Sequence, residues 1–384
     1  MSIRWSVTGP DPAPHPLKWG NSNAAASRRW IERIVKAPRA VPLAILVLLT
    51  LIGCTADQGQ EPPELRPASL EAVRTLELDK SDSAYIGEIV SHASVDFGPA
   101  GDLVIGDRMS SRVLRFTPNG ALAAIAGRGG EGPGEYEGIW GVGWETEDRI
   151  WILDANRTTR LDSALSLVDM RTFQSEPWPQ DVQFTGGKAV VGTYHSSNQG
   201  NALQIRPGSG GEPLGSLLPY GPLSQEPYVL GEYRPVFRVV GDTVIGGSTV
   251  TYPHKIMNLD GEILAEFGRP PPSLGEMRVP ALAEFAVDIR AGNLWQRSFG
   301  TTSSMWVVHD SLIVVEHRRP HPEMGGIPVA TYRADIYDRW TLAKLVEDME
   351  LPGRIMAWHD DLLWILTDSP PAPWTFTGFE VRVQ

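Results

Sequence analysis

The sequence predicts an all-β fold, a six-bladed β-propeller closed by a strand from its own N-terminal side, on three observations. Six hairpin signals recur along the chain, a long stretch reappears about 141 positions later, and the final unit is one strand short while an unattached strand precedes the first unit.

The hairpin signals come first. Tight polar turns fall at Gly101-Asp102, Glu147-Asp148, Gly186-Gly187, Gly241-Asp242, Asp310-Ser311 and Asp360-Asp361, each followed by an apolar run such as LVIG, RIWIL or LLWIL. Gly and Asp between such runs mark β-hairpins. The turns lie 39 to 69 residues apart, the scale of one propeller blade plus its loops. The long repeat supports this reading: Gly120, Gly127, Arg128, Gly134 and Glu135 recur as Gly261, Gly268, Arg269, Gly275 and Glu276.

In the first unit a whole blade is readable, with strands expected at 93–97, 103–106, 112–116 and 121–126. The second is continuously apolar because neighbouring blades cover both its faces. The last unit supplies strands only at 354–358, 362–367 and 379–383. Residues 72–78, AVRTLEL, therefore complete it as its outer strand and close the ring. The widest interval places an insertion over 275–304, with a short helix in VPALAEFAVDI.

The N-terminal 53 residues belong to no blade. An apolar run of about a dozen residues from Val41 is too short to span a bilayer and follows Lys36 and Arg39, as the h-region of a secretory signal does. Leu51-Ile52-Gly53-Cys54 resembles the lipobox of bacterial lipoproteins, which implies cleavage before Cys54, the only cysteine, and its lipidation. Two readings of the first 34 residues stay open: initiation at Val35, or a twin-arginine signal around Ser27–Ile31, from which Glu32 departs. The domain expectation is a cleaved signal over 1–53, a polar, Pro-rich tether over 54–69 and a propeller over 70–384. Removing residues 1–53 takes away seven basic and two acidic residues, which moves the formal net charge from −12 to −17. Such a surface repels phosphate backbones, so a nucleic-acid partner is not expected.

GDRMSSRVLRFTPNGALAAIAGRGGEGPGEY resembles an NHL repeat, with Asp107 and Arg112, and less closely Asp154 and Arg160, at the repeat's Asp and Arg positions. With the lipobox, the chain is similar to six-bladed propeller lipoproteins of bacterial envelopes. The resemblance implies an exported, lipid-anchored monomer, its partners a bilayer through Cys54 and an unknown protein or small ligand.

Candidate chemistry is sparse. The GRGGEGPGEYEG stretch contains G-x-G-x-x-G, yet Pro133 forbids the helix that a phosphate loop opens, and Glu131, Glu135 and Glu137 repel a phosphate. Asp107 and Asp154 read as turn caps. His309-Asp310 and His359-Asp360 read as equivalent hairpin turns. In EHRRPHPEM, Pro320 and Pro322 prevent His317 and His321 from sharing a helix face with Glu316 and Glu323. Trp151, Trp306, Trp358 and Trp364 read as inter-blade packing. Tyr194, Tyr220, Tyr228, Tyr233 and Tyr252, in the loop-rich middle of the chain, are the expected ligand-facing rim. No cofactor is expected for a binding module. The alternative is a hydrolase or lactonase resembling the gluconolactonase-type propellers, with calcium or another divalent metal. For that site Glu88, Asp96 and Asp181 are the candidate ligands, an incomplete set.

Overall fold

The computed structural model describes residues 64–89, 91–154, 157–172, 179–193, 201–208, 214–219, 234–274, 300–320, 330–369 and 373–384. They form six four-stranded antiparallel sheets, the blades of a six-bladed β-propeller. Within blades one to five the strands pair in chain order from inside to outside. Blade one uses Val95–Phe97, Leu103–Asp107, Arg112–Phe116 and Leu122–Ala126, within two residues of the sequence expectation.

All six expected turns are hairpins between the first and second strands of their blades. One detail differs. In blade five the left-handed residues are His309 and Asp310, whereas in blade six they are Asp360 and Asp361, and His359 ends the preceding strand. His309 and His359 are thus not equivalent, and His359 stacks on Phe97 at 5.3 Å across the closing interface.

Closure occurs where the missing strand predicted it. Ala68–Glu77 pairs antiparallel with Thr375–Val383, and Ala72 faces Phe379. The strand begins two residues inside the segment expected as tether. Leu76 and Leu78 are buried in a core shared by blades one and six. This strand leaves the ring without an open seam, which replaces the clasp that a lone cysteine cannot supply. Gly120, at φ +83°, lies against its end, and a Cβ there would stand 2.1 Å from the Glu77 carbonyl oxygen.

Apolar clusters fill the interfaces between blades one and two, three and four, four and five, five and six, and six and one. The blade two–three boundary is different: Trp151 meets Phe184 edge-on at 5.4 Å, and Arg160 pairs with Glu145 and reaches the Gly208 carbonyl. The expected insertion ends sooner than its 275–304 bounds, because the inner strand of blade five starts at Thr301; its helix, within 275–299, lies outside the described residues.

Candidate functional site

The glycine-rich stretch binds a cation rather than an anion. Arg157 is buried and donates from Nη1 to the Glu131 carbonyl at 2.6 Å, and from Nη2 to the carbonyls of Gly130 at 3.1 Å and of Glu135. Its Nε pairs with Asp154 at 2.9 Å. The glycines allow this backbone to curl its carbonyls inward, with Gly127 at φ +90° and Gly130 at φ +148°. The stretch is therefore a structural link between blades one and two. Asp154 pairs with Arg157, three residues along the hairpin, and not with Arg160, the residue aligned by the repeat. Asp107 does cap its turn: it accepts backbone N–H bonds from Gly87, Glu88 and Met109, while Arg112 stands 3.9 Å away.

The central channel holds the charges the fold does not use. A cavity of about 190 Å³ opens among the inner strands, and each blade contributes to its wall: Asp96, Trp144, Asp181, Arg238, Trp306 and Met356 from blades one to six. Asp96 alternates with buried Val95 and Phe97, so strand periodicity turns it away from their core. Its carboxylate accepts the backbone N–H of Trp144 in the next blade at 2.8 Å. Burial pushes the Asp96 carboxyl up to about 6; the Trp144 hydrogen bond and the Arg238 charge offset this only partly.

Gln183 shows what that position requires structurally. It pairs with Val190 as Asp96 pairs with Val104, the same rung of equivalent hairpins. Its side-chain amide also bridges to the next blade, accepting from Val239 N–H at 2.8 Å and donating to the Phe237 carbonyl at 3.0 Å. A neutral amide thus makes the inter-blade bridge, and an ionisable group at Asp96 is not needed for it.

Asp181 accepts the Val182 N–H at 2.7 Å and lies 3.5 Å from His92 Nε2. His92 meets the Trp306 ring edge-on at 5.6 Å. Across the cavity the Arg238 guanidinium lies over the other part of the site's aromatic wall, 4.4 Å from the Trp306 ring centroid. Among the described residues it makes no hydrogen bond and no ion pair within 4 Å. Burial lowers its pKa, and the charges of Asp96 and Asp181 counter that shift. Trp306 is therefore a channel wall as well as a packing residue. The signal for Arg238 was in the sequence, a lone charge inside the apolar inner strand PVFRVV.

A second polar cluster is sealed between blades four and five. Tyr252 Oη lies 3.2 Å from Thr302 Oγ1 and 3.3 Å from His317 Nδ1, so its hydroxyl faces the blade interior. His317 Nε2 stands 3.5 Å from Asp335, which also accepts from Lys344 at 2.8 Å and from the Asp348 N–H at 2.8 Å. Burial acts to raise the Asp335 carboxyl, but His317 and these donors outweigh it and hold the group below its ordinary value. His254 packs on Tyr252 at 4.4 Å, both its ring nitrogens lack a hydrogen-bond partner among the described residues, and burial drives its pKa down to about 3.

Tyr194, Tyr220, Tyr228 and Tyr233 lie outside the described residues, as do Cys54, His321 and Glu323. Of the candidate metal ligands, Asp96 and Asp181 share the channel cavity, whereas Glu88 is exposed beside the Asp107 turn. Among the described residues no three His, Cys, Asp or Glu side chains are grouped to hold a metal ion. The Arg238 charge in the same cavity also opposes a cation there, so the donor set does not fit the calcium-type centre. No helix of the described residues is long and apolar enough to cross a membrane.

No family model and no curated protein matches the chain. Among solved structures, a Bacteroides fragilis protein proposed to be exported is 14% identical, covering 84% of this chain and 98% of its own, with a TM-score of 0.55. BamB of Moraxella catarrhalis is 10% identical, covering 81% of this chain and 100% of its own, at a TM-score of 0.41. A Bacteroides caccae protein of unknown function is also 10% identical, covering 67% and 81%, at 0.44. At these identities the likeness is one of fold, and only the first is close enough to support even that.

Proposed function

We propose that this chain is an exported binding module of the bacterial envelope, lipid-anchored through Cys54, which takes a small ligand in its central channel without catalysis. One observation carries the reading: Arg238, Asp96 and Asp181 line one cavity, yet the guanidinium is bonded to neither carboxylate. Ions placed for stability pair with one another, whereas a guanidinium that shares a cavity with two carboxylates and is paired with neither is disposed to pair with something that enters it. The raised Asp96 carboxyl points the same way, since perturbed groups in a concave site are a mark of function. The NHL resemblance of blade one is consistent with a repeat-built ring, and the lipobox supports the anchor.

A thermal-shift screen of the full chain in detergent tests the binding reading, run against small ligands with Arg238→Met beside the wild type. Ligand-dependent stabilisation that the variant loses supports it; stabilisation indifferent to Arg238 refutes it. Calcium-dependent hydrolysis of sugar lactones, abolished by Asp181→Asn, would establish the hydrolase instead. The anchor is tested separately: Cys54→Ser should release the protein from the membrane fraction, and unchanged fractionation refutes lipidation.

A further inference from the structure

The charges of the channel define what kind of ligand satisfies them. Arg238 offers the planar fork of donors that matches a carboxylate in two parallel hydrogen bonds, and Trp306 fixes its plane. Asp96 and Asp181 offer acceptors in the same cavity, and His92 braces Asp181. The cavity, about 190 Å³, has room for a small molecule.

We infer that the channel binds a small zwitterion of the free amino-acid class, its carboxylate on Arg238 and its ammonium between Asp96 and Asp181. Single-charge ligands fit less well. A simple anion pairs with Arg238 but meets two carboxylates in the same small space. A simple amine satisfies the carboxylates and leaves a desolvated guanidinium unpaired beside a second cation. A neutral sugar exchanges water for hydroxyl contacts without neutralising either sign, so the desolvation cost of all three charges stays uncompensated. Only a ligand carrying both signs pairs every group, and complementarity of this kind rejects analogues that lack one of them.

This inference rests on the channel being the binding site, and the experiment separates the two. Isothermal calorimetry on the full chain uses alanine, glutamine, glutamate and lysine as probes, together with their methyl esters, which lack the α-carboxylate, and their N-acetyl derivatives, which lack the α-ammonium. At least one parent amino acid should bind, and blocking either end should weaken it tenfold or more. Arg238→Met should remove binding and Asp181→Asn should weaken it, with melting curves confirming that each variant is folded. Arg238→Lys keeps the charge without the fork and serves if the Met variant does not fold; it should bind the same probe at least several-fold more weakly. Esters or acetylated forms binding as well as their parents overturn the inference, as does amino-acid binding indifferent to these variants. Citrate, glucose or a simple amine bound in an Arg238-dependent way, with no amino acid bound, overturns the zwitterion while keeping the channel as the site. If no probe or screened ligand responds to Arg238, both readings fall.

Discussion

Asp96→Asn should make this protein more stable at neutral pH. The Asp96 carboxyl titrates near 6 in the folded chain against 3.8 for an ordinary aspartate. The folded state therefore holds a proton that the unfolded state has released, and between these values stability falls as pH rises. Over roughly two pKa units at 1.36 kcal/mol each, ionised Asp96 costs about 3 kcal/mol at pH 7.5, which solvent in the open channel reduces toward about 2. Asparagine stands in for the protonated acid and keeps an acceptor for the Trp144 N–H, as Gln183 does for Val239. Urea unfolding of wild type and variant measures the difference: a gain of about 2–3 kcal/mol at pH 7.5 that shrinks to about 1 at pH 4.5, where the folded wild type is already protonated. A variant less stable than wild type at pH 7.5, or a gain that does not change with pH, would refute the argument. A residue that lowers stability where it stands and could be replaced by an amide has another reason to be acidic.

His254 should produce the opposite slope. Its folded pKa, about 3 against 6.5, means that only the unfolded chain gains a proton as pH falls through this range, so stability is full above 6.5 and is lost toward 3. In the Asp96→Asn background urea unfolding should show a loss approaching 1.4 kcal/mol per pH unit between about 6 and 4, which His254→Leu abolishes. Asp335, held below 3.8, adds its own acid sensitivity only beneath that value. Arg157→Met removes the buried guanidinium that pairs with Asp154 and donates to the Gly130, Glu131 and Glu135 carbonyls, which should cost about 3–5 kcal/mol by chemical denaturation. Gly120→Ala forces a Cβ into a left-handed position and against the Glu77 carbonyl, so the thermal midpoint should fall as the closing strand is displaced; about 1–3 kcal/mol is expected. Deleting residues 64–78 removes that strand and the buried Leu76 and Leu78, and should abolish a single cooperative melt.

Much of the ring could be read from the chain because it is built from local signals. Strand alternation and tight Gly or Asp turns act within a few residues, so all six hairpins stood out, and the unmatched Ala72–Leu78 segment identified its own partner. Arginine assignments fared less well. Repeat alignment set Arg160 at the position of Arg112, but the register places Arg157 opposite Asp154 as it places Arg112 opposite Asp107, because the hairpin after Asp154 is two residues shorter. His359, offset by one residue from His309, shows how a hairpin loop shortened by one residue moves an apparent equivalent from turn to strand.

The candidate site was the part that only tertiary structure decided. Asp96, Asp181 and Arg238 are spread over more than 140 positions of sequence; Asp96 and Arg238 are lone polar residues of their inner strands, whereas Asp181 shares its strand with Gln180, Gln183 and Thr185. Their strands touch no common hydrogen-bond ladder. They face one cavity because six blades share an axis, and a shared axis is a property of the closed ring that no blade carries alone. Periodicity fixed which side of each strand a residue occupies; closure alone determined what stands across from it.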